Sequence, residues 1–204
     1  MGLMDYKNAH RMLSKYGIKI VEGKYVSDVK EAISFSKGTP IAMKAISEKA
    51  LHKSKNKLVG LNLASEDAIT KSYNELSRKA KKFRPYKILA QKMITDGTEI
   101  IIGGKTDTQF GKMILIGLGG IYVETFKDFA LRLCPINRYD AESMLQQLRS
   151  KRIIAPDSKT SGLVVNLLLN VSRMFTENNI TELDLNPLIL HDGTYDAVDL
   201  RIIR

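Results

Sequence analysis

Three residues near the C-terminal end could act together on a cation. Asp184 and Asn186 lie in the run Glu182-Leu183-Asp184-Leu185-Asn186-Pro187-Leu188, and Asp199 follows in Ala197-Val198-Asp199. Apolar residues alternate with them. Residues i and i+2 of a strand point to one face, so Asp184 and Asn186 would project together. Asp192-Gly193 is a hairpin signal that would fold the strand carrying Asp199 back alongside. Carboxylate and amide oxygens on neighbouring strands suit Mg²⁺, which keeps several waters and completes its shell from substrate phosphates. The same spacing also suits a satisfied polar cluster at a sheet edge.

Other positions carry weaker signals. Lys44 stands in the apolar run Ile41-Ala42-Met43-Lys44-Ala45. An ammonium there either reaches an anion or snorkels from an edge strand to water. His52-Lys53-Ser54 is a compact polar triplet in a lysine-rich stretch. Its histidine could take part in phosphoryl transfer or simply be exposed. Gly117-Leu118-Gly119-Gly120 would let backbone N–H groups approach an anion, or serve as a strand-end turn. Gln91-Lys92-Met93 and Glu99 flank Asp96-Gly97, either as an ordinary hairpin or as a connection presenting backbone groups to a base.

The elements that must position these groups follow from periodicity. Helices are expected over residues 5–16, 28–35 (capped by Ser27), from Ser65 to near Phe83, 140–150 and 161–177. Strands are expected over 19–26, 41–45, 60–63, 88–93, 99–105, 112–118, 180–185, 188–191 and 195–200. Crossover and hairpin connections are mixed, which argues α+β in two layers. The expected division is an N-terminal helix over 5–16, a first lobe over about 17–85 and a second over about 86–204.

Composition narrows the function. The chain has 204 residues, 44% of them hydrophobic, and no apolar run long enough to span a membrane. No basic, apolar and cleavage regions stand in series at the N-terminus, so a cytoplasmic protein is expected. Cys134 is the only cysteine, which rules out an internal disulfide or a cysteine metal cluster. The net charge of +10 suggests a polyanionic partner. The basic residues, such as Lys79, Lys81, Lys82 and Arg84, are spread over expected helix surfaces and are not interleaved with Tyr and Phe in the way a stacking platform needs. That argues for a polyphosphate pocket rather than a nucleic-acid platform.

In order along the chain, several segments form a familiar series. They are Lys44 in its strand, His52-Lys53-Ser54, Gln91-Lys92-Met93, Glu99-Ile100-Ile101-Ile102-Gly103, Phe110-Gly111, Gly117-Leu118-Gly119-Gly120-Ile121-Tyr122-Val123-Glu124, Arg132-Leu133-Cys134-Pro135, Leu183-Asp184-Leu185-Asn186-Pro187-Leu188 and Val198-Asp199-Leu200-Arg201. The series resembles the ATP-grasp β subunit of ADP-forming acetyl-CoA synthetase (acetate–CoA ligase), of the NDP-forming acyl-CoA synthetase superfamily. The resemblance covers about Tyr16 to Arg204.

It implies an ATP-grasp fold of two α+β lobes enclosing a nucleotide cleft. It also implies ATP or ADP as substrate and Mg²⁺ as cofactor. Lys44 would contact the α-phosphate side, residues 91–94 (Gln91, Lys92, Met93 and Ile94) would line adenine, and Glu99 would lie near ribose or phosphates. Asn186 and Asp199 would bind Mg²⁺ with Asp184 beside them. The implied reaction is acyl-CoA + ADP + phosphate ⇌ acid + CoA + ATP, by way of acyl phosphate and phosphohistidine. An α subunit would carry CoA and the first phosphohistidine, and His52 would relay the phosphoryl group to ADP. After His-Lys-Ser the family usually shows an acidic residue, an apolar one and paired glycines. Here the stretch is Lys55-Asn56-Lys57-Leu58, and Lys92 replaces a common hinge acid. The alternative reading is therefore a noncatalytic nucleotide-binding or regulatory ATP-grasp module.

Overall fold

Asp5 starts the first helix, α1 (Tyr6–Lys15), by accepting from the backbone N–H groups of Lys7 and Asn8. Gly17, at φ 69, ends the turn that follows. The helix buries Tyr6, Ala9 and Leu13 on one face. The computed structural model describes residues 2–47, 49, 58–120 and 128–204.

The chain forms two compact units, residues 21–95 and residues 1–20 with 96–204. The smaller contains β1 (Gly23–Val26), α2 (Val29–Ser36), β2 (Ile41–Ile46), β3 (Val59–Leu63), α3 (Glu66–Ala80) and β4 (Lys87–Lys92). Its antiparallel sheet runs β1-β4-β2-β3. Val26, Ile41, Met43, Ile69, Leu76 and Ile88 fill the core between that sheet and the two helices. Asp28, not Ser27, caps α2, accepting from Glu31 N at 2.8 Å. Ser27 instead donates through its backbone and hydroxyl to the Glu31 carboxylate, which these bonds hold below the usual range.

The larger unit contains α1, β5 (Thr98–Asp107), β6 (Gly111–Leu118), β7 (Phe129–Leu133), α4 (Arg138–Gln147), the short α5 (Lys151–Ile154), α6 (Ser158–Glu177), β8 (Glu182–His191), β9 (Thr194–Ala197) and β10 (Leu200–Ile203). Its sheet runs β10-β8-β5-β6-β7, with β9 also paired to β8. One face packs on α6, whose Leu167, Leu168, Val171, Met174 and Phe175 meet Ile100, Ile102, Ile114 and Ile116. Phe175 lies so close to β5 that a Cβ at Gly104 would stand 3.2 Å from its ring.

The division expected at 85/86 is corrected to 95/96, because β4 hydrogen-bonds to β1 and β2. The N-terminal helix belongs with the C-terminal residues, as Leu3 bridges to Ile203 and Ala197 N donates to Lys19 O at 3.0 Å. Ile20 bridges to Ala197, and the strand expected over 19–26 begins only at Gly23. The two strands expected over 180–191 are one, β8, with a register shift against β5 between Ile100 and Ile102. The strand expected over 195–200 is two, β9 and β10, and β7 was not expected at all. Among the described residues no helix is long and apolar enough to cross a membrane.

Candidate functional site

β8 alternates sharply. Leu183 and Leu185 are buried, while Asp184 and Asn186 are exposed on the opposite face. Asp192-Gly193 forms the expected tight turn, with both residues at positive φ. β9 then pairs with Leu188–His191 and β10 with Glu182–Leu185 of the same strand. Asp199 occupies the step between them. Asn186 N donates to Asp199 O at 3.0 Å, and Leu200 N donates to Asp199 Oδ1 at 3.1 Å. Backbone pairing thus sets Asn186 beside Asp199, and Asp184 lies two residues along the same face of β8. Asp199 sits in a bend, not within the strand expected to carry it. Arg201, paired with Asp184 in register, sends its guanidinium to Glu182 at 3.3 Å.

Glu99 stands on β5 opposite Ile189 and, like Gly103 opposite Asp184, belongs to the alternate set turned away from buried Ile100 and Ile102. It lines a cavity of about 860 Å³ together with Leu118, Gly119, Gly120, Arg149, Ser150 and Ile153. Asp128 fixes the far wall by accepting from Arg149 N at 3.0 Å and Ser150 N at 2.8 Å. Burial works to raise the Asp128 pKa, but the bonds from Ser150 and Arg149 outweigh it and hold the carboxyl below its usual range. Sequence reasoning did not find Asp128, Arg149 or Ser150. The turn they build joins residues far apart in the chain, and no local pattern marks it.

In the smaller unit Lys44 is only 5% exposed and lies on an inner strand between β3 and β4, which excludes snorkelling from a sheet edge. Gln91 is buried, Met93 and Ile94 half-buried. Lys92 N donates to Glu22 O and Met93 N to Pro40 O, so neither N–H is presented to a base. The Lys92 ammonium donates to Ser36 O at 3.0 Å, Phe35 O at 3.3 Å and Thr39 Oγ1 at 2.9 Å, and lies over the Phe35 ring. Its side chain thus caps the C-terminal end of α2. Gln91–Lys92 and Glu99 do not bound a hairpin either, since β4 and β5 belong to different sheets. His52, Lys53 and Ser54 lie outside the described residues, as do residues 121–124.

Comparison with known proteins bears on the family and the fold. Residues 2–203 match the ATP-grasp domain family. The chain is 35% identical to the acetate–CoA ligase [ADP-forming] II subunit beta of Pyrococcus furiosus, across 98% of this chain and 91% of that one. It is also 35% identical to acetate–CoA ligase [ADP-forming] I of Archaeoglobus fulgidus, where the match covers 94% of this chain but only 30% of the longer relative. A solved dinucleotide-forming acetyl-coenzyme A synthetase 1 from Ca. Korarchaeum cryptofilum superposes with a TM-score of 0.82 at 32% identity, over 99% of this chain and 92% of that one. That protein is described in complex with coenzyme A and Mg-AMPPCP, its phosphohistidine segment pointing towards the nucleotide binding site. A family match over residues 2–203 and a relative 35% identical along nearly its whole length show that the chain belongs to the ATP-grasp domain family, with the beta subunits of ADP-forming acetate–CoA ligases.

Proposed function

We propose that this chain is the nucleotide-binding subunit of an ADP-forming acid–CoA ligase and works with a separate α subunit. The observation that carries the reading is the placement of Asp184 and Asn186 on one exposed face of β8, with Asp199 held beside Asn186 by a backbone hydrogen bond. Two carboxylates and an amide are hard oxygen donors, in the number Mg²⁺ takes from protein when nucleotide phosphates complete its shell. Among the described residues no group of three or more His, Cys, Asp or Glu could hold a metal. When bound, the ion neutralises phosphate charge.

The assignments of Lys44, Gln91, Lys92 (through its backbone), Met93, Ile94 and Glu99 to the nucleotide, and of His52 to the phosphoryl relay, are part of the proposal. So is an α subunit that binds CoA and carries the first phosphohistidine. The subunit name of the Pyrococcus relative and the longer Archaeoglobus chain support that partner. The edge strand β7 also exposes Phe129, Leu131 and Leu133, a row of the kind partners cover.

The test is ATP formation from acetyl-CoA, ADP and phosphate by the chain mixed with an α subunit from the same genome. Turnover that requires both chains supports the proposal, and turnover by the α subunit alone overturns it. The stretch Lys55-Asn56-Lys57-Leu58, which lacks the paired glycines, favours a second reading as a noncatalytic nucleotide-binding module. Binding of Mg·ADP without turnover by the pair would select it.

A further inference from the structure

The glycine pair that ends β6 packs on Glu99. Gly119 N donates to Glu99 O at 2.7 Å. A Cβ on Gly119 would stand 2.9 Å from the carbonyl carbon and oxygen of Glu99 and 3.0 Å from its Cβ. Gly120 has φ +68, and a Cβ there would meet Glu99 Oε2 at 3.0 Å. Both side-chain-free positions are therefore what allows the turn to lie against this glutamate. A glycine pair at a strand end can also cradle a phosphate. Here a carboxylate already lies against it. An ionised carboxylate only accepts hydrogen bonds and would repel a phosphate oxygen placed beside it.

We infer that Gly119 and Gly120 are positioning residues for Glu99, setting where its carboxylate stands in the cavity shared with Arg149, Ser150 and Ile153. Through it they set the affinity of the chain for nucleotide. Glu99 then receives hydroxyl or N–H donors of the ligand, and the turn is not itself the phosphate-binding loop. The inference rests on the nucleotide reading proposed above.

The experiment is calorimetric titration of the full chain with Mg·ADP. Gly120→Ala should weaken binding by about tenfold, the low end of what losing a hydrogen bond to a charged group costs. Gly111→Ala is the control. Gly111 has a comparable φ of +77, but a Cβ there meets nothing within 4 Å, so it carries the same backbone strain without the contact. Its affinity should stay within about twofold of the parent, the scatter expected of a site with no lost contact. The deciding measurement is a double-mutant cycle. In a Glu99→Ala background, Gly120→Ala should have no further effect, because the clash partner is gone. If Gly120→Ala melts the fold, Gly120→Asn replaces it, since asparagine tolerates positive φ while keeping the Cβ.

Parent-like binding by Gly120→Ala overturns the inference. So does an equal loss in the Glu99→Ala background, which would show the glycine acting by another route. Absence of binding by the parent chain at millimolar Mg·ADP is a different result, and removes the nucleotide reading together with everything built on it.

Discussion

A half-buried ammonium needs acceptors, and Lys92 finds three of them where α2 ends. Its charge also complements the negative end of the helix. Lys92→Ala should lower stability by about 1–2 kcal/mol, the worth of charge-assisted hydrogen bonds, in a urea titration. Mg·ADP affinity should be unchanged. Weaker nucleotide binding at unchanged stability would put the side chain, and not only the backbone, at the base site. The sequence could not reveal this role, because Lys92 and Ser36 meet only once β4 lies beside α2. Lys44 was more legible. A lysine inside an apolar run is conspicuous because burial of its charge is costly, and the structure does bury it. Asp184 and Asn186 were legible for a similar reason, since the two-residue period of a strand fixes their common face.

At the scale of elements, β8 organises the candidate site by pairing with β5, β9 and β10 at once. The hairpin turn at Asp192-Gly193 was readable. The break between β9 and β10, which leaves Asp199 beside Asn186, was not, because both short strands share one partner. β7 escaped notice for another reason. Its exposed positions are Phe129, Leu131 and Leu133, while Ala130 is buried and Arg132 reaches Ser143 and Gln147 on α4. That inverts the usual apolar-in, polar-out alternation.

The turn before α5 gives a test in pH. Asp128 is held below the usual carboxylate range, so its stabilising effect is present above that range and fades as pH falls through the lowered folded value. Thermal melts should show the parent losing its advantage over Asp128→Ala as the solution is acidified below the ordinary aspartate range. At neutral pH the variant should be less stable by about 1–2 kcal/mol, from two backbone N–H groups left without their charged acceptor. A gap between the two proteins that does not change with pH would contradict this role.

For the whole molecule, the strand-by-strand pattern identified two α+β units but misplaced their boundary. β4 follows Pro85 and precedes two further strands, so along the chain it looks like the start of a new sheet. Its hydrogen bonds instead close the first one, and α1 joins the second unit across the length of the chain. Periodicity carries local structure, whereas such pairings are decided by which edges and faces remain to be covered.

The account as a whole rests on the oxygen cluster of the larger unit acting as a metal–nucleotide site. Its most direct test is calorimetric titration of the chain with ADP, with and without Mg²⁺, for the parent and for Asp199→Asn and Asn186→Ala. Saturable binding that needs Mg²⁺, and that each substitution weakens by more than about tenfold at unchanged thermal stability, is the expected result. Binding indifferent to Mg²⁺ and to both substitutions would contradict it.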